Sequence, residues 1–505
     1  MQTDVLIVGA GPVGLVMAIE LARYGVAVRI IDKAPERTDK SKALVIWSRS
    51  LELLERSGCS AALVDAGYKV TSVNITADKK PIAHLALDKV PTAYPYGLML
   101  PQNETERVLD EFLNTLGVKI ERTVELTHFT SSADSVVSTL RHADGSEETV
   151  ETSWLIGCDG AHSTIRHQLG MEFKGDTLLI DWVIADIHLE GFPRTPEINI
   201  AWHSDGVLVT FPIAEDRYRI IADAGTAAEA SAPPAPPTLE QVQAILDKRF
   251  PGGVRASNPI WLSAFRINER KIAEYRSGRV FLAGDAAHVH SPAGGQGMNT
   301  GMQDACNLAW KLALVVRGVG VESLLESYSA ERSPIAEQVL KVTGRVTDMA
   351  TLTGGMAQSL RNHVASLLLG LSPVRKLAAD ITSEISIGYP NSPLNAGHGL
   401  GHDTPAPGDR APIRKNEPTT SAGNTPRFAL FAKADGIPSD LLLRYANILE
   451  PTLREPFHPS GLWLVRPDGY TALAAKRGDW NAVTEYLDNI SVNRTRDLLS
   501  ASSSA

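Results

Sequence analysis

The sequence predicts an α/β protein: a mostly parallel sheet covered by helices, an antiparallel sheet domain beside it, and a smaller C-terminal α/β unit. Three observations carry this prediction. The first 32 residues run apolar strand, glycine loop, helix and apolar strand, which is the βαβ opening of a parallel sheet. Residues 197–222 alternate apolar and polar side chains between short polar turns, the antiparallel signature. A loop-like stretch, Gly397 to Gly408, then sets off the last hundred or so residues.

The elements follow in chain order. Asp4 to Val8 is a short buried strand ended by glycine, and Gly14 to Tyr24 is a helix with Leu15, Ala18, Ile19 and Ala22 at helical spacing. Val26 to Ile31 is a second buried strand ending at Asp32. Glu197–Trp202, Val207–Ile213 and Arg217–Ala222 are the antiparallel strands, with Asp205-Gly206 as a turn. Ser231 to Pro237, with four prolines, reads as a stiff surface connection. Arg279–Ala283 is another buried strand and Asn299–Arg317 a long helix stopped by Gly318. About Met349 to Ile387 reads as helical, and Phe428–Phe431 and Gly461–Val465 are strands of the last unit.

Composition excludes several classes. The 505 residues are 43% hydrophobic and 21% charged, an ordinary globular balance. A formal net charge of −9 lacks the basic footprint of a nucleic-acid binder. No apolar run approaches the ~20 residues of a membrane span. Cys59, Cys158 and Cys306 are far apart, with no CxxC pair for zinc or redox chemistry. No metal is expected. The odd cysteine count and the missing signal-peptide pattern lead us to expect a cytoplasmic protein.

Gly9-Ala-Gly11-Pro12-Val13-Gly14 is a GxGxxG loop between strand and helix. Gly9 permits the turn, Gly11 lets a pyrophosphate reach the backbone, and Gly14 lets helix and strand pack closely. The helix dipole and free N–H groups favour phosphate there. Asp32, 18 residues after Gly14, is placed to accept hydrogen bonds from a ribose. Together these point to a dinucleotide, NAD or FAD.

Two further segments narrow the choice. Leu155-Ile-Gly-Cys-Asp159-Gly160-Ala-His-Ser163-Thr-Ile-Arg166 runs from a strand into an Asp-Gly turn. Gly278-Arg-Val-Phe-Leu-Ala-Gly284-Asp285-Ala-Ala-His288 continues through Pro292-Ala-Gly-Gly295-Gln-Gly297-Met298-Asn299. With the N-terminal loop, this order resembles the single-component FAD-dependent aromatic hydroxylases over residues 1 to about 345. The resemblance implies a discontinuous Rossmann-like FAD domain (1–75, 100–180, 270–345), a substrate domain (76–99, 181–269), a helical connection (346–395) and a thioredoxin-like domain (396–505). That last domain contains no cysteine, so disulfide exchange is excluded.

The resemblance also assigns roles. It places Asp285 on the ribityl chain, Asp159-Gly160 near FAD and NAD(P)H, Gln102 on the flavin, Arg107 near the phosphates, and Lys33 and Leu126 among the cofactor contacts. Lys42 stands where an arginine is often found near the pyrophosphate, and gives a point charge without a bidentate fork. The stretch Gly294 to Gly297 leads into a helix N-terminus suited to negative charge on reduced flavin. No second GxGxxG occurs, since Gly397-His-Gly399-Leu-Gly401 has the wrong spacing. NAD(P)H is therefore expected as a transient reductant.

Such enzymes transfer oxygen from a flavin C4a-hydroperoxide to an electron-rich ring, so the expected partners are O2 and a small phenolic or polycyclic aromatic molecule. Trp47, Trp202, Phe211, Pro212 and Phe265 are candidate pocket walls, with Arg266 as a polar contributor; His288 and His290 read first as structural. Ala43 to Ser48 is apolar where phenol hydroxylases carry an aspartate, and no catalytic base is assigned. Two alternatives stay open: Baeyer–Villiger oxidation of a cyclic ketone, and a non-catalytic flavin-holding scaffold. The chain is expected as monomer or homodimer.

Overall fold

Val5–Val8 is fully lined by apolar neighbours and sits at the heart of a six-stranded sheet. It pairs in parallel with Trp154–Gly157 on one side and Val28–Asp32 on the other. Val280–Leu282 and Ile120–Arg122 extend the sheet outward, also in parallel, and Arg276–Ser277 closes one edge antiparallel. Because four strands run the same way, their carboxyl ends deliver Gly9, Asp32, Asp159 and Gly284 to a single edge. Helices Pro12–Arg23 and Gly297–Val316 pack against each other over this sheet. The computed structural model describes residues 3–38, 41–226, 234–250, 252–352, 354–401, 403–414 and 417–492. Ser231 to Pro233 of the expected stiff connection lie outside the described residues.

The second sheet has eight strands, in the order His288–Val289, Arg255–Lys271, Lys174–Glu190, Arg217–Thr226, Gly206–Pro212, Glu197–His203, Ser72–Ala77, Lys80–Ala86. All pairings are antiparallel except Glu197–His203 with Ser72–Ala77. The 75/76 and 180/181 boundaries drawn from the sequence both fall inside strands of this sheet. One face packs on helix Leu239–Arg249. The other carries an apolar cluster that also takes in Leu44, Val45 and Trp47. Helices Gly355–Gly370 and Ser372–Thr382 roof that cluster through Ala365, Leu369 and Ala379. The helical stretch expected from about 349 to 387 is thus two helices: Leu371 is extended, and Pro373 occupies the first turn of the second.

The C-terminal unit is a four-stranded sheet in the order Ala396–Gly397, Thr471–Lys476, Gly461–Val465, Ala429–Phe431. Val483, Leu487 and Ile490 of helix Trp480–Ile490 belong to one continuous apolar core that this sheet shares with the N-terminal part.

Candidate cofactor and substrate site

The three glycines of the N-terminal loop are needed for three different reasons. Gly9 has φ +101°, and a Cβ there would lie 2.3 Å from the Cys158 carbonyl oxygen. A Cβ on Gly14 would lie 1.9 Å from the Gly9 carbonyl oxygen, where helix crosses strand. A Cβ on Gly11 would meet nothing within 4 Å. Gly11 borders a cleft of about 190 Å³ whose walls include Gly9, Asp32, Lys33, Leu126, Asp159 and Gly160. Seven residues chosen from the sequence, scattered over 150 positions, therefore meet at one place.

Within the cleft, Asp32 accepts from the Ala10 N–H (2.7 Å) and the Ala34 N–H (2.8 Å), which fixes its carboxylate at the strand end. Asp159 has a buried Oδ1 with no hydrogen-bond partner among the described residues. Burial pushes its carboxyl up, against the opposing pull of Ser163. Asp285 does not line this cleft; it is closely surrounded by protein atoms yet exposed to solvent. Its carboxyl is also pushed up by burial, with His288 and Lys42 pulling the other way. An unpaired buried acceptor, an accessible interior carboxylate and an open glycine face make a donor and acceptor set that suits a dinucleotide with its sugar hydroxyls and pyrophosphate.

The turn carrying Asp285 is held from behind. Gly284, at φ +60°, donates its N–H to Asp304 Oδ2 (3.0 Å). Asp304 also bonds His288 Nε2 (2.7 Å) and Arg332 Nε (2.6 Å). Burial alone would raise the Asp304 carboxyl; Arg332 and His288 outweigh it and hold it below the usual range. Val13 packs where a Cβ on Gly284 or Gly301 would fall (2.7 and 2.6 Å), so the glycine-loop helix, the Gly284 turn and the long helix touch directly. Pro12 is buried at the start of that first helix.

Asn299 stitches the glycine stretch to the segment containing Trp47. Its Oδ1 accepts from the Trp47 N–H (2.8 Å), and its Nδ2 donates to the carbonyls of Val45 (2.8 Å) and Gly295 (2.9 Å). The Trp47 indole N–H donates to the Gly294 carbonyl (2.8 Å). Pro292 accepts from the Gly295 N–H (2.9 Å) to close the turn, and Gly297 and Met298 open the long helix. Gln102 holds both neighbours of Lys42: its Oε1 accepts from the Ala43 N–H (3.2 Å), while its backbone N–H donates to the Ala43 carbonyl (3.0 Å) and to Ser41 Oγ (2.8 Å). Arg219, paired with Asp186 through two contacts (2.7 and 2.9 Å), donates to the carbonyls of Lys42 and Ala43 from the other side.

Three sequence expectations are corrected here. Arg107 does not face the cleft; its guanidinium pairs with Glu104 and Glu111 (both 2.9 Å) along the helix surface. Pro212 and Phe211 occupy opposite faces of the sheet because side chains alternate along a strand. Phe211 joins the apolar cluster with Trp47, Trp202 and Phe265, whereas Pro212 pairs with Tyr218 on the other face. Arg266 likewise alternates with Phe265 and Ile267, and it pairs with Asp181 (2.7 Å) away from the cluster. The sequence reading also missed Tyr68, which packs against the cluster, and Asp304 and Arg332.

The profile of a family described as an FAD binding domain matches residues 2–343. The chain belongs to this family of FAD-dependent monooxygenases. FAD is the monooxygenase's cofactor, and NAD(P)H is the family's reductant. It is 36% identical to a 6-methylpretetramide 4-monooxygenase of Streptomyces rimosus over 96% of its own length and 93% of the relative's. It is 34% identical to a rifampicin monooxygenase of Streptomyces venezuelae, over 76% and 79% respectively. Among solved structures, an anhydrotetracycline hydroxylase from Streptomyces rimosus superposes with a TM-score of 0.78 at 30% identity, covering 97% of this chain and 99% of that one. Among the described residues of this monooxygenase, no helix is long and apolar enough to cross a membrane.

Proposed function

We propose that this monooxygenase hydroxylates a phenolic, fused-ring aromatic substrate. The observation that carries the reading is Trp47. One residue both fastens the glycine stretch, through Gly294 and Asn299, and joins the apolar cluster containing Trp202, Phe211 and Phe265. Cofactor edge and substrate cluster therefore share a wall. The named relatives act on polycyclic aromatics by their names, which supports the same class here.

In this reading Gly9, Gly11 and Gly14 with the following helix N-terminus hold the pyrophosphate, Asp32 a ribose, and Asp285 the ribityl hydroxyls. Bound FAD, reduced by NAD(P)H, supplies transfer of one oxygen atom from O2 to the ring. The N–H groups opening the long helix at Gly297 and Met298 favour negative charge nearby. The cluster excludes water from the reacting centre. His290 is neutral there, because burial lowers it to about 4 while its Nδ1 bonds the Ser291 carbonyl. The thioredoxin-like C-terminal unit, free of cysteine, takes a supporting role, and the reduced cysteines fit a cytoplasmic setting. The test is NAD(P)H oxidation in air by the flavoprotein, with peroxide counted, across fused-ring phenols and cyclic ketones. Faster oxidation, less peroxide and a ring-hydroxylated product support the reading. A lactone or ester would replace it with Baeyer–Villiger oxidation, and bound FAD without NAD(P)H consumption would replace it with a scaffold.

A further inference from the structure

The roof helix Gly355–Gly370 carries apolar side chains on both sides. Inward, Ala365 and Leu369 pack on the apolar cluster, Gln358 donates to the carbonyls of Ser204 (3.1 Å) and Leu352 (2.9 Å), and Arg361 donates to the Met349 carbonyl (2.9 Å) and stacks over Trp202. Its outward face carries Met356, Leu360, Val364, Leu367, Leu368 and, just beyond its end, Leu371. Met356 is 91% exposed, Leu367 72% and Leu360 66%. At 100° per residue Met356, Leu360, Val364 and Leu367 fall on the side away from Gln358 and Ala365, with Leu368 at the margin of the stripe.

We propose that this stripe is the interface between two copies of the chain. The exposed apolar area of these six side chains is on the order of 700 Å², above the about 300–600 Å² of a typical monomer's largest patch and close to the ~800 Å² each partner contributes to a standard interface. The flanking Met349 and Leu377, 46% and 57% exposed, make up the remainder. Charge favours self-association: the helix carries no acidic residue, and its one cation, Arg361, is on the buried face. A face without charge has nothing to repel a copy of itself, although the whole chain has a formal charge of −9.

The stripe also reads nearly alike in both directions, as a two-fold interface requires. An antiparallel crossing near Val364 sets Met356 beside the partner's Leu371 and Leu360 beside the partner's Leu367. The same helix would then be held from both sides, with the substrate cluster beneath it and a second chain above.

The experiment is sedimentation velocity on the FAD-loaded full chain over about a hundredfold range of concentration. Twice the chain mass is expected, as is monomer mass at every concentration for Leu360→Glu/Leu367→Glu with flavin still bound. Leu443→Glu, at an exposed position off the stripe (81%), is expected to stay dimeric. A second readout is Val364→Cys with oxidised glutathione, expected to give a disulfide-linked dimer, the three native cysteines being buried. Monomer mass for the native chain at the highest concentration overturns the proposal. So does a doubly substituted variant that still dimerises, or a monomeric native chain that instead pellets with phosphatidylcholine vesicles.

Discussion

Gly11 and Gly14 belong to one sequence motif, and the structure predicts opposite consequences of filling them. Gly11 is extended (φ −75°, ψ −178°), a conformation open to any residue, and a side chain there meets no protein atom within 4 Å. Gly11→Val should therefore leave the flavin-free protein within about 1 kcal/mol of the native chain, the change being limited to helix-capping and chain-entropy effects. Its isopropyl group occupies the space a pyrophosphate needs, so FAD affinity should fall at least about tenfold, or ~1.4 kcal/mol. Gly14→Ala reverses the pattern. Its methyl would stand 1.9 Å from the Gly9 carbonyl oxygen and 3.3 Å from Cys158 Cβ. Backbone must move to admit it, and overpacking of this kind costs about 1–3 kcal/mol or more. Thermal melts of the apoproteins and flavin-fluorescence titrations separate the two effects. Native flavin affinity in Gly11→Val, or a native melting point in Gly14→Ala, would refute the reasoning.

Asp285→Ala should fold normally and lose most of its FAD during purification; full occupancy, read from the ratio of visible to ultraviolet absorbance, would remove Asp285 from the site. Arg107→Ala should change flavin affinity less than about threefold and stability by less than ~1 kcal/mol, because exposed helical ion pairs contribute only about 0.3–0.5 kcal/mol each; loss of flavin would restore it as a phosphate ligand. Burial pushes the Glu384 carboxyl up to about 8, against Arg332 and the Gln303 hydrogen bond. The folded chain thus keeps a proton that the unfolded chain releases above the usual ~4.3, so this residue's contribution to stability falls as pH rises through that window, by as much as ~5 kcal/mol. Glu384→Gln should remove that slope, measured as the difference in urea midpoints between variant and native chain at several pH values. Glu331→Ala should cost about 3–5 kcal/mol, since it leaves Lys311 as a buried cation without its carboxylate and removes one of the two carboxylates that hold Arg466, the other being Asp468, and denaturant melts would show it.

How much was legible beforehand depended on the range of the interaction. Motifs bound to strand ends were readable, because a strand followed by glycine or Asp-Gly states both its direction and what stands at its tip. Gly9, Asp32, Asp159 and Asp285 are of this kind. Facing was not readable: Pro212 and Arg266 were chosen as neighbours of aromatic residues, and alternation along a strand sends neighbours to opposite faces. Arg107 was assigned from the resemblance alone, while its own sequence, with Glu104 and Glu111 three and four residues away, already described a surface ion-pair ladder. Pairings between distant buried charges, such as Arg219 with Asp186, left no local trace at all.

The C-terminal unit shows what the sequence motif Arg466-Pro-Asp468-Gly469-Tyr470 is for. Arg466 is fully buried and binds Glu331 through two contacts (2.5 and 2.9 Å), and Glu331 also holds Lys311 Nζ (2.8 Å) and Asn307 Nδ2 (2.7 Å) of the long helix. Asp468 accepts from the Trp310 indole (3.1 Å), and its carbonyl accepts from Arg49 (2.8 Å). Burial would lift the Glu331 carboxyl, but Arg466 and Lys311 hold it well below the usual range. The same long helix presents Asn299 and Met298 to the glycine stretch at its other end, and its Asp304 supports the turn of Asp285. Buried charge pairs contribute little net stability over apolar packing, yet they tolerate only one registry of the surfaces that carry them. The C-terminal unit therefore fixes the rear half of the helix whose front half borders the cofactor edge.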